Sequence, residues 1–188
     1  RSYHTSPATV AITGGSFETG DGRYVLNIKD DMVAEGAAFS VTGGTFKGFD
    51  PADNIAEGKG TNYLGEGVTS AEKEEGLFEV RDYAWLTIPE VEHATVTVTI
   101  DGVATEVVDG KVKAKIGSKV VVAYEPIVDW ANSCEIEITP TKDMAVDTGD
   151  YAPVQAVAKI GEKGYSSLAA ACAAAQDGDT IVMVQDSN

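Results

Sequence analysis

Two stretches of the chain are near-copies of each other. Val10-Ala11-Ile12-Thr13-Gly14-Gly15-Ser16-Phe17 returns as Phe39-Ser40-Val41-Thr42-Gly43-Gly44-Thr45-Phe46, offset by 29 residues from Gly14 to Gly43. A recurring unit of that length is one supersecondary element, and a single such element cannot bury its apolar face alone. The expectation is therefore strands stacked side by side, with Phe17 packing on Phe46. The paired glycines supply φ angles that other residues avoid, as corners and bulges require. They are not a phosphate loop, because neither pair is followed by a lysine and a helix. This duplication constrains architecture and names no ligand or reaction.

The rest of the composition narrows the setting. The 188 residues hold 14 basic and 30 acidic side chains, a net charge of −16. That field repels a phosphate backbone, so nucleic acid is not an expected partner. An anionic membrane surface is disfavoured on the same ground. Acidity serves solubility, with a cation-binding or salt-adapted surface as the sharper alternative. No apolar run is long enough to span a bilayer, so no membrane insertion is expected in this segment. The chain opens on Arg1 rather than Met and stops just after an apolar strand, which reads as a piece of a longer protein. Cys134 and Cys172 are expected as buried free thiols, although two cysteines leave a disulfide open.

Three segments follow from the patterning. Residues 1–83 hold the duplicated strands, further strands at Tyr24–Ile28 and Leu77–Val80, and a polar, glycine-rich loop at 47–67. Residues 84–153 read as an antiparallel β-sandwich, Ig-like in the loose sense. Thr95–Ile100 and Lys111–Ile116 alternate with period two, and Asp101-Gly102 and Asp109-Gly110 are hairpin turns. Trp85 and Trp130 are expected as core anchors, with exposed binding positions as the alternative. Residues 154–188 read as a short helix near 167–176, capped by Ser166 or Ser167, then a strand at Thr180–Val184.

The segment Val41-Thr42-Gly43-Gly44-Thr45-Phe46-Lys47-Gly48-Phe49-Asp50-Pro51-Ala52-Asp53-Asn54, with Gly58-Lys59-Gly60-Thr61-Asn62-Tyr63, resembles right-handed parallel β-helix (pectate-lyase-like) repeats. The middle segment looks like the Ig-like modules interspersed among such repeats in large surface or secreted proteins of gut bacteria and related phage proteins. Ala158–Gly161 and Tyr165–Ile181 resemble the entry of a further β-helix. The resemblance covers nearly the whole chain. It implies a mainly β fold: β-helix coils, then an Ig-like sandwich, then a helix capping the next β-helix. It also implies a place outside the cell or on its surface.

Because that fold includes polysaccharide lyases and glycosidases, an enzyme reading must be judged on residues. Asp30-Asp31 is a poor paired site if extended, since successive side chains point to opposite faces. His4 and His93 lack a serine or cysteine partner in sequence, and neither has metal-ligand spacing to a cysteine. Asp50, Asp53, Asn54 and Glu57 lie together in the long loop, where their oxygens would suit calcium; turn chemistry is the other use of the same residues. No other cofactor is expected. A non-enzymatic structural or adhesion module is therefore the leading expectation. Its partners would be other copies or further repeats of the same chain, and surface glycans. A polysaccharide-binding or -cleaving protein is the second, drawing on Phe49, Tyr63 and Trp130. A phage fibre or capsid-decorating protein is the third.

Overall fold

The computed structural model describes residues 8–20 and 24–184. Asp21, Gly22 and Arg23, like Arg1 and His4, lie outside the described residues, and so does the turn expected at Asp21-Gly22. The chain forms two compact units. One takes in the chain up to Trp85, with Lys113–Gly117 and Pro140–Met144; the other takes in Leu86–Val112, Ser118–Thr139 and the chain from Ala145 on.

In the first unit, β1 (Thr9–Glu18) and β2 (Ala38–Lys47) are the duplicated segments. They pair in parallel, Thr9 opposite Ala38 and Phe17 opposite Phe46, with irregularity only around the glycines. Between them lies α1 (Asp30–Ala34), a single turn with Asp30 and Asp31 at its start. No strand forms at Tyr24–Ile28. Beyond β2 come β3 (Thr69–Glu74) and β4 (Leu77–Arg81), an antiparallel hairpin turned at Gly76, whose φ is 71°. β4 then pairs antiparallel with β2, giving the order β1-β2-β4-β3. Phe46 and Val41, both fully buried, centre a core with Leu26, Phe49, Tyr63 and Val80. Phe17 stacks on Phe46, ring centroids 4.9 Å apart.

Next along the chain are β5 (Tyr83–Thr87), β6 (Ala94–Ile100), β7 (Val103–Thr105), β8 (Lys111–Lys115), β9 (Val120–Pro126), β10 (Trp130–Ala131), β11 (Cys134–Ile138) and β12 (Met144–Ala145). The largest sheet of the second unit is antiparallel, in the order β11-β9-β6-β7. Alternation decides which side chains turn inward: Val120, Val122 and Tyr124 of β9 are buried, as is Val98 of β6. Asp101 and Gly102 both adopt positive φ between Ile100 and Val103, the geometry a two-residue hairpin needs. The Tyr124 hydroxyl donates to the Pro89 carbonyl at 3.0 Å. The sheet β12-β5-β8 completes this stretch. Last come β13 (Val154–Gln155), paired with β10, then β14 (Ala158–Ile160), β15 (Lys163–Tyr165), α2 (Leu168–Ala174) and β16 (Ile181–Met183). β14 lies between β15 and β16, antiparallel to both. Ser167 caps α2, its hydroxyl accepting from Ala170 N at 3.1 Å.

The fold is mainly β, as expected, but the parallel β-helix is not formed. The sheets are small and mixed or antiparallel, and none closes or winds into a solenoid. The reason lies on the far edge of β2. A solenoid would lay a further parallel strand there. A single parallel bridge, Val41 to Leu64, is all that forms before the β3–β4 hairpin takes the edge antiparallel. The final segment likewise makes an antiparallel three-stranded sheet with its helix, not the entry of parallel coils. The family resemblance therefore does not hold.

Both cysteines are free. Cys172 is exposed rather than buried, because α2 buries only Ala171. Among the described residues no helix is long and apolar enough to cross a membrane.

Candidate functional site

The two copies of the repeated strand have the same local backbone and opposite surroundings. Gly15 and Gly44 occupy equivalent positions with φ of 110° and 115°. Gly43 of β2 is buried against β1: a Cβ built there would lie 2.6 Å from the Thr13 carbonyl oxygen. Gly14, its counterpart in β1, is exposed, and a Cβ there would meet nothing within 4 Å. β1 stands at the end of its sheet, and no described strand pairs with its outer edge. Ser16 and Thr45 hydrogen-bond across the pair at 3.1 Å, and Lys47 pairs with Glu18 at 3.3 Å.

The long loop folds back on this sheet. Phe49 and Tyr63 are 6% and 4% exposed, so both rings belong mainly to the core, although Phe49 also borders a surface cavity with Tyr24, Asp50, Asp53 and Asn54. Tyr63 stacks on Phe49 and meets Phe39 edge-on. Its hydroxyl donates to Glu57 Oε1 at 2.7 Å. Burial first, then that carboxylate, raises the Tyr63 pKa well above its ordinary value. Glu57 Oε1 also accepts from Ile28 N at 2.5 Å and Asn27 Nδ2 at 3.3 Å. Asp50 Oδ1 accepts from Ala52 N, and Asn54 Oδ1 accepts from Ala56 N while its Nδ2 donates to the carbonyls of Asp50 and Thr61. Thus Asp50, Asn54 and Glu57 spend oxygens on the chain's own donors, and Asp53 is exposed. Among the described residues, no three His, Cys, Asp or Glu side chains gather as a metal site.

These bonds set a modest prediction. Tyr63→Phe removes one donor but leaves Glu57 Oε1 two others, so a loss of about 1 kcal/mol is expected. Denaturant unfolding checks it, through a lower midpoint at unchanged slope.

Trp130 is half-buried beneath His93, whose ring stacks on it at 3.6 Å and 9°. His93 holds a φ of 63°. Trp85, expected in the core, is 40% exposed instead. In β5 the inward places fall to Ala84 and Leu86, which sends Trp85 to the opposite face. There it meets Tyr83 edge-on, while Lys113 Nζ sits 3.7 Å from the centroid of the Tyr83 ring. Arg81 also approaches that ring, at 4.7 Å, and bonds Asp143 Oδ2 at 2.5 Å. Sequence reasoning gave an exposed Trp85 only as the alternative to a core position, and it did not connect Tyr83, Lys113 or Arg81 with it. The signal was the shared parity of Tyr83 with Trp85 and of Lys111, Lys113 and Lys115.

No protein-family model matches the chain, and neither a curated protein nor a solved structure matches it.

Proposed function

We propose that this chain is a non-enzymatic structural or adhesion module, located outside the cell or on its surface, that joins to other parts of an assembly through strand edges and displays its loops. One observation carries the reading: a duplicated strand, paired in register with its own copy, leaves the outer copy at a sheet edge that is open among the described residues. Natural sheets guard such edges with charge or bulges, because an unpaired strand invites another. β3, at the opposite edge, is so guarded by Glu72, Lys73 and Glu74. β1 carries no charge from Thr9 to Phe17. An edge without charge over that length, irregular only around its glycines, supports a joining role, whether the assembly is a bacterial surface layer or a phage fibre or capsid. Negative-stain imaging with light scattering on native material tests it. The chain is expected in filaments, a shell or a surface layer, and discrete monomers would overturn the reading.

A second reading, polysaccharide binding, draws support from the face around Trp85 and Tyr83. An exposed indole suits a sugar ring, and Lys113 would favour an anionic one, whereas Arg81 is already paired with Asp143. Trp85→Ala is expected to abolish retention on a uronate polysaccharide column, and unchanged retention counts against it.

A further inference from the structure

We infer that the outer edge of β1 is a docking site for an extended segment of another polypeptide that carries the pattern apolar-Thr-Gly-Gly-Thr-Phe-Lys, added parallel and in register. The inference rests on the joining role proposed above and names the partner that such a joint takes.

The β1–β2 contact itself describes the fit. Gly43 is glycine because the Thr13 carbonyl lies where its Cβ would stand. Gly14 shares the motif position, and the following glycine shares the same unusual φ, so β1 presents the same approach to whatever lies beyond it. Among the described residues nothing fills that space. Gly14 does not adopt positive φ, and no described atom crowds it, so nothing within this fold requires glycine there. A strand lying on β1 as β1 lies on β2 would require it, with its own threonine carbonyl seated against Gly14. Backbone pairing would supply the affinity and the glycine contact the register, as in other strand additions.

Charge then selects among strands with this motif. The β1–β2 pair ends with Glu18 opposite Lys47, an ion pair at 3.3 Å. A parallel newcomer places its residue after phenylalanine opposite Glu18. A second β1 would put glutamate there, like charge facing like. A segment ending Phe-Lys, as β2 does, places an ammonium there instead. It also stacks its phenylalanine on Phe17, extending the Phe17–Phe46 pair. Antiparallel addition would carry the lysine to the Thr9 end and forfeit both contacts.

The test uses the full chain and a fluorescent ten-residue peptide of the β2 sequence, Ala38 to Lys47, followed by anisotropy. Saturable binding is expected, with Gly14→Ala in the chain weakening it by about tenfold or more. Circular dichroism should find the variant folded like the parent. A peptide carrying Lys47→Glu should bind several-fold more weakly at low salt, and the difference should shrink as salt screens the pair. Absence of binding overturns the inference, as does equal binding by parent and Gly14→Ala. Equal binding of both peptides overturns the parallel register. Peptide binding by a chain found monomeric in its native source would keep the site and remove the joining role. Assembly in the source without peptide binding would do the reverse.

Discussion

Phe46→Ala is expected to cost the first unit about 3–5 kcal/mol, the usual range for emptying a buried aromatic site. Phe46 is fully buried, and three aromatic neighbours depend on it. Phe17 stacks on one side at 4.9 Å, Phe49 tilts against it at 6.5 Å, and Phe78 stands opposite in β4. Truncation therefore opens a void beneath the β1–β2 pair and the loop anchor together, where no single neighbour can move in to fill it. Phe17→Ala should cost less, because Phe17 is half-buried on an edge strand. Denaturant unfolding combined with amide exchange at β2 checks both. The β2 amides should lose most of their protection in Phe46→Ala. A shift of less than about 1 kcal/mol would mean that the core is centred elsewhere.

The same ring marks how far the sequence could be read. The stack of Phe17 on Phe46 is legible because a duplicated segment, once paired in register, must bring like residues together. What lies on the other edge of β2 is not legible. Glu75-Gly76 is a turn in either architecture, and nothing local to Leu77–Arg81 states whether that strand returns parallel or antiparallel. The two aspartate-glycine turns and the Ser167 cap were readable because their chemistry is local. Tyr24–Ile28 misleads, since an apolar run predicts burial more surely than it predicts a ladder; only Leu26 there is fully sunk. In Tyr83-Ala84-Trp85-Leu86-Thr87 the alternation is plain but its phase is not. A slip of one residue exchanges core and surface, and size argued for the wrong face.

The candidate residues divide in the same way. Aromatic rings in a polar loop, Phe49 and Tyr63, suggested a ligand; packing uses them instead to pin the loop to the sheet. Glu57 accepts from Ile28 N, one 29-residue repeat back along the chain, but neither position carries the repeated motif that would have linked them in the sequence. The acidic residues of the loop were therefore visible as a group, while their use as acceptors for the chain's own amides was not. The two glycine pairs were visible as equals. Only their neighbours distinguish them.

That distinction yields a matched pair of substitutions with opposite outcomes. Gly43→Ala places a methyl group 2.6 Å from the Thr13 carbonyl oxygen and 3.1 Å from its carbon. Both atoms are backbone, so no rotamer change relieves the clash, and β1 must move away from β2. Overpacking of this kind costs about 3 kcal/mol. The cost should fall on the β1–β2 ladder, loosening the Phe17 stack and the Ser16–Thr45 bond with it. Gly14→Ala adds the same methyl at the same motif position and meets nothing within 4 Å. It should leave stability within about 0.5 kcal/mol, or raise it slightly by restricting the unfolded chain. Amide exchange in β1 reads the difference directly: fast in Gly43→Ala, native in Gly14→Ala. Equal destabilisation by both would mean that Gly14 is already packed against a strand, and β1 would then be an interior strand of the sheet. A silent Gly14→Ala beside a damaging Gly43→Ala leaves β1 as an open edge whose glycine does nothing for the fold that carries it.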